Sequence, residues 1–145
     1  MTDSHISVFD STLHKTHHWL EEIMEEMGWQ DQQKAYVALR ATLHALRDRL
    51  PPKNAVNLSA QLPMLIRGFY FENWRIEDTP LKYRHQNEFL KLVSKEAPSI
   101  SEDEIDRAVT AVFQRLNFEL SPGEAEKVRK MLPEELRELW PISGL

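Results

Sequence analysis

The chain has 145 residues, a net charge of −5, 41% hydrophobic and 28% charged residues, and no cysteine. That length buries a stable apolar interior without staples, and the composition argues against disorder. No disulfide framework or thiolate zinc site is available, and no apolar run approaches the roughly 18 residues that a membrane span needs. The start MTDSHISVFDSTLHKTHH lacks the basic and apolar stretches of a secretory signal. A cytoplasmic location is expected by elimination. Lys and Arg are scattered among acids apart from the stretch Arg40 to Arg49. Nucleic acid, which needs clustered cations to release its counterions, is therefore a disfavoured partner.

In chain order, Ser11 is placed to cap a helix running to about Met27, with Trp19, Leu20, Ile23 and Met27 on one face and Gly28 as its stop. Asp31 opens a second helix whose apolar stripe is Ala35, Ala38, Leu39, Thr42, Leu46 and Leu50, a 3.6-residue rhythm. Pro52 suits the first turn of a third helix, where its missing N–H is not needed. Pro63 breaks that helix and starts a short fourth one toward Phe69. Further on, Ser101 and Glu104 read as a capping box ahead of Ile105, Ala108, Val109, Val112 and Leu116. Ser121 followed by Pro122 is another cap with proline at the first helical position. Pro133-Glu134-Glu135 puts acids at a helix start, where the dipole favours them. No segment shows β alternation. The expected fold is all-α, about eight helices.

Aligning the chain with itself at an offset of 70 residues pairs Leu46 with Leu116, Leu50 with Leu120, Pro52 with Pro122, Ala55 with Ala125, and Leu62-Pro63 with Leu132-Pro133. Conservative pairs extend both ways, from Trp19 with Phe89 to Tyr70 with Trp140, and no gap is needed. Matched positions are mostly apolar or proline, as expected where core and helix boundaries are shared and surfaces have diverged. The reading is one domain of two homologous helical lobes, repeats 14–71 and 84–141 joined by connector 72–83.

The stretch ALRATLHALRDRLPPKNAVNLSAQLPMLIRGFYFENW, residues 38–74, resembles a bacterial family catalogued as a domain of unknown function, number 2267. The segment LSPGEAEKVRKMLPEELRELWP, residues 120–141, resembles that family's C-terminal half. The resemblance implies a small helical bacterial protein, with no established activity and no catalytic residues to carry over.

Three groups of residues are candidates for a site. His14, His17 and His18 with Glu21 offer i,i+4 pairs that could place two metal ligands on one helix face. Two ligands are few for a tight site, and a solvated face that happens to carry histidines is the bland alternative. Arg40, His44 and Asp48 share a stripe at i, i+4 and i+8, opposite the apolar one, with Arg47 and Arg49 beside it. A histidine next to a carboxylate is acid–base material, but no nucleophile or glycine-rich phosphate loop accompanies it. A surface ion-pair ladder is its plainer reading. Finally, Arg67, Phe71 and Trp74 lie in an aromatic connector of the kind recognition surfaces use, or in a hydrophobic clasp between lobes.

No catalytic residue and no cofactor is assigned. The expected function is a non-catalytic helical interaction module, self-associating or docking a protein partner along the aromatic junction. The alternative is a metal-binding or small-molecule-binding protein, possibly enzymatic, using His14, His17 and His18 or the Arg40–His44–Asp48 face.

Overall fold

The computed structural model describes residues 6–142. They form α1 (Ser7–Met27), α2 (Gln32–Arg49), α3 (Pro52–Ser59), α4 (Met64–Tyr70), α5 (Gln86–Glu96), α6 (Ile105–Glu119), α7 (Pro122–Lys130) and α8 (Glu134–Arg137). A single 3₁₀ turn, Ile76–Asp78, lies between α4 and α5, and no strand occurs among the described residues.

Most helix ends fall where local chemistry puts them. Gly28 closes α1 in the left-handed region, φ 71°, and the N–H groups of Gly28 and Trp29 donate to Glu25 O (3.3 Å) and Met24 O (2.9 Å). Asp31 accepts from the Gln33 N–H at 2.9 Å. Ser121 accepts from the Glu124 N–H at 3.3 Å, with Pro122 in the first turn of α7.

Two caps differ from expectation. α1 begins at Ser7, so Ser11 lies inside the helix, where a serine costs only a few tenths of a kcal/mol. Ser101 does not cap α6. The segment between them turns first, Glu104 itself sits at the cap position, and its carboxylate faces away from the helix start. It accepts from Trp29 Nε1 (3.0 Å), Lys34 Nζ (3.2 Å) and Ser101 Oγ (3.3 Å), which ties the α1–α2 corner to α6.

The fourth helices begin after Pro63 and Pro133, residues with no side-chain acceptor. α4 is therefore capped from outside: Thr12 Oγ1 on α1 accepts from the Leu65 N–H at 2.9 Å. In the other half, Glu135 on α8 accepts from the Gln86 N–H at 3.1 Å and so caps α5. Both contacts bring a fourth helix against the first helix of its own half.

The halves are interlocked. α1 packs on α6 and nearly as much on α2, and α5 packs chiefly on α2, so α1 and α5 each reach the long helix of the other half of the chain. One continuous core results, with Trp19, Leu39, Leu46, Tyr70, Phe89, Phe113 and Trp140 among its fully buried side chains.

Replacing Thr12 with valine keeps the shape of the side chain but removes the acceptor from the start of α4. Thr12→Val is expected to destabilise the protein by about 1 kcal/mol, read from the urea midpoint at unchanged slope. An unchanged midpoint would mean that α4 does not depend on this cap.

Candidate functional site

The Arg40–His44–Asp48 stripe is the polar constellation with the most structure around it. α2 carries it beneath the end of α4 and against α5, so that His44 is 4% and Arg47 only 2% exposed. This corrects the expectation of a solvated ladder. The stripe does lie opposite the first apolar face, but α5 and the connector close over that side as well.

Each buried group is paired. His44 Nδ1 is 2.8 Å from Glu96 Oε2, and its Nε2 is 2.6 Å from Phe69 O. Both nitrogens of the buried ring are thereby engaged, one by a carboxylate and one by a backbone carbonyl. Arg47 donates from Nη1 to Tyr70 O (2.7 Å) and Glu72 O (2.8 Å), and from Nε to Asp48 Oδ1 (2.8 Å). Arg40 bridges Glu96 Oε2 (2.8 Å) and Glu72 Oε1 (3.1 Å). Arg49 donates to Tyr83 O at 3.0 Å and stacks over the Tyr83 ring at 5.4 Å. Burial works to raise the Glu96 carboxyl, but the hydrogen bond and charge of His44 and the charges of Arg40 and Arg47 outweigh it and hold Glu96 below its usual range.

This arrangement fastens the chain leaving α4; it does not present reactive atoms. Tyr70 and Glu72 supply carbonyls that Arg47 takes, while Phe69 O, which also accepts from the Glu72 N–H at 3.2 Å, meets His44. The partner that sequence reasoning missed is Glu96. Its only signal was an acid in the last helical residue of α5, where the helix dipole disfavours one.

The aromatic connector is likewise occupied by its own chain. Phe71 and Trp74 are partly buried against the core, their rings 5.4 Å apart, with Phe71 5.1 Å from Tyr70. Trp74 Nε1 is buried with no hydrogen-bond partner. Arg67 turns back on α3, donating to Ser59 O and Leu62 O, both at 3.0 Å.

Among the described residues no three His, Cys, Asp or Glu side chains come together as a metal-ion ligand set. His14 and His18 line a cleft of about 460 Å³ with Lys15, Gln61, Pro63 and Glu119, whereas His17 lies outside it. His18 Nε2 stands 3.6 Å from Glu22, and Glu21 is exposed.

A second cleft, about 480 Å³, is lined by Arg49, Arg84, His85, Met131, Pro133 and three glutamates of α8 and its end. Five of these positions are the first cleft's positions displaced by 70 residues: Arg84 for His14, His85 for Lys15, Met131 for Gln61, Pro133 for Pro63, and Arg49 for Glu119.

Residues 16–139 match the family model described as an uncharacterized conserved protein (DUF2267), the family that residues 38–74 and 120–141 resemble. No curated protein matches the chain.

The lowered Glu96 carboxyl contributes stability that is present above its unfolded-state value, 4.5, and is lost as pH falls below it toward the folded-state value. Glu96→Gln is therefore expected to be less stable than wild type at neutral pH, with the gap narrowing below pH 4.5. Urea unfolding at several pH values checks this, and a gap independent of pH would contradict it.

Proposed function

We propose that this chain, which belongs to the DUF2267 family, is a non-catalytic helical interaction module built from one four-helix unit used twice, and that it pairs with a second copy of itself through the starts of α1 and α4. The duplication is supported by burial as well as sequence. Trp19 and Phe89, Leu46 and Leu116, Leu50 and Leu120, Leu62 and Leu132, and Tyr70 and Trp140 are all buried pairs 70 residues apart. Polar residues repeat their work too. Arg67 donates to Leu62 O (3.0 Å) as Arg137 donates to Leu132 O (2.9 Å). Arg47 and Asn117 each hold a carbonyl just beyond a fourth helix, Glu72 O and Pro141 O, both at 2.8 Å.

The observation that carries the pairing is the overhang of α1. Phe9, Leu13, Thr16, Leu20, Ile23 and Met27 recur at alternating spacings of three and four, one continuous helix stripe. Its later part is core, with Ile23 1% exposed, yet Phe9 and Leu13 at its start are 54% and 47% exposed. Met64 and Leu65 are exposed beside it, where the Leu65 N–H meets Thr12. The matching positions on α8 are Glu134 and Glu135, so this half alone carries apolar residues there.

A core-type stripe left in water at helical spacing fits a helix, and a second α1 presents the same stripe. Two-fold pairing then closes the surface on itself. With Ile6 and Val8, the exposed apolar side chains offer on the order of 500 Å². Flanking polar surface brings this toward the about 800 Å² per partner of a stable dimer.

Sedimentation velocity tests the pairing. Wild type is expected at twice the chain mass, and Phe9→Glu and Leu13→Glu as helical monomers. Trp74→Ala is expected to remain dimeric. A monomeric wild type at every soluble concentration would overturn the proposal, and loss of the dimer in Trp74→Ala alone would move the interface to the connector.

A further inference from the structure

The two clefts differ in one chemical respect. In the second, the basic turn at the start of α5 is answered by a carboxylate of the chain itself. Glu135 Oε2 lies 3.0 Å from His85 Nδ1, and its Oε1 accepts from the Gln86 N–H at 3.1 Å. Glu138 stands 3.5 Å from the Gln86 side chain. The hydrogen bond to Glu135 raises His85, and the same contact with the Gln86 N–H holds Glu135 low, so each stabilises the other's charge.

In the first cleft basic residues remain and the acids at the fourth helix are gone. Lys15 stands where His85 does and His14 where Arg84 does, but Glu135 and Glu138 are replaced by Leu65 and Gly68. Lys15 and His14 have no hydrogen bond or ion pair among the described residues. Glu119, across the cleft, is engaged by Arg115. The Gln86 N–H has no free equivalent, because α1 runs through this point as continuous helix. The donors left are the Lys15 ammonium and the His14 ring, with the His18 ring beside them, its Nε2 3.6 Å from Glu22.

We infer that the cleft between α1 and the α3–α4 turn binds a carboxylate from outside the chain, at the place where the second cleft holds Glu135. Lys15 pairs with the carboxylate, His14 and His18 flank it, and Gln61 and Pro63 form the opposite wall. The carboxylate could come from a small free acid or from an acidic side chain of a polypeptide. The inference uses the correspondence of the two halves and is independent of the pairing through α1.

The test is an NMR titration of the histidine ring protons at constant pH and ionic strength. One arm uses glutarate. The other uses an acetylated and amidated peptide, Pro-Glu-Glu-Leu-Arg-Glu, copying residues 133–138. Saturable shifts are expected at His14 and His18 but not at His17, and chloride at equal ionic strength is expected to produce none. Response to glutarate identifies a small-acid site, and response to the peptide alone identifies a polypeptide site. Lys15→Ala is expected to weaken binding about tenfold, as loss of a charge-assisted contact does. Leu65→Glu restores the second cleft's arrangement, so its free-state His14 and His18 signals are expected near the bound positions, with no further response. Phe9→Glu, which breaks the proposed dimer, is expected to bind as wild type does. Absence of saturation in both arms would overturn the inference, as would equal shifts at His17.

Discussion

Everything around α2 follows from its being enclosed on all sides. Ten of its eighteen residues are buried, and they include Thr42, His44 and Arg47 as well as the apolar stripe. A buried cation is tolerated only when it is paired and hydrogen-bonded. The end of α4 has the matching need, because the last carbonyls of a helix lack partners within it and carry the negative end of its dipole. His44 and Arg47 meet that need at Phe69, Tyr70 and Glu72, and Glu96 balances the charge from α5. One cluster thereby joins α2, α4, α5 and the connector. It accounts for the polar residues that looked most like a site.

The corresponding end of α8 is served more cheaply. Asn117, a neutral amide, accepts from Trp140 Nε1 at 2.7 Å and donates to Pro141 O, while Arg129 donates to Trp140 O at 3.1 Å. Thr110 and Gln114 stand where Arg40 and His44 do. The same backbone demand is met without burying an ion pair on α6. A difference between the halves is therefore a weak guide to function at these positions, because two different side-chain sets can perform one scaffold task. It is a better guide at exposed positions, where nothing structural is asked. Met64 against Glu134 is of that kind.

How far the fold could be read from sequence depended on the range of the interaction. Gly28, Asp31, Pro52, Ser121 and Pro122 act within a turn, and each does what its local chemistry suggests. The apolar stripes of α2 and α6 are equally local. Glu104 misled because its carboxylate goes to Trp29, 75 residues away in sequence, and not to its own helix start. His44 misled because periodicity locates a face but not what covers it. α5 and the connector, which close over that face, are set by tertiary packing alone. Thr12 as the cap of α4 was invisible for the same reason, since its partner lies 53 residues on.

With the buried polar groups assigned to the scaffold, the unspent chemistry of the first half gathers on one helix. On α1, Phe9 and Leu13 continue the core stripe into solvent, whereas His14, Lys15 and His18 turn toward the cleft on another side. At 21 residues α1 is nearly twice as long as α5, with 11. The extra turns come from where the other half has its connector. The end of a helix frays unless something holds it. It is held here by Thr12 against α4, which places its apolar face beside Met64 and Leu65. The same cap that starts α4 therefore composes the proposed interface. It brings α4 and its carboxylate-free start, Met64 and Leu65, against the helix that carries Lys15. Association and carboxylate binding are distinct proposals that share only Leu65, and one local contact positions the surfaces for both.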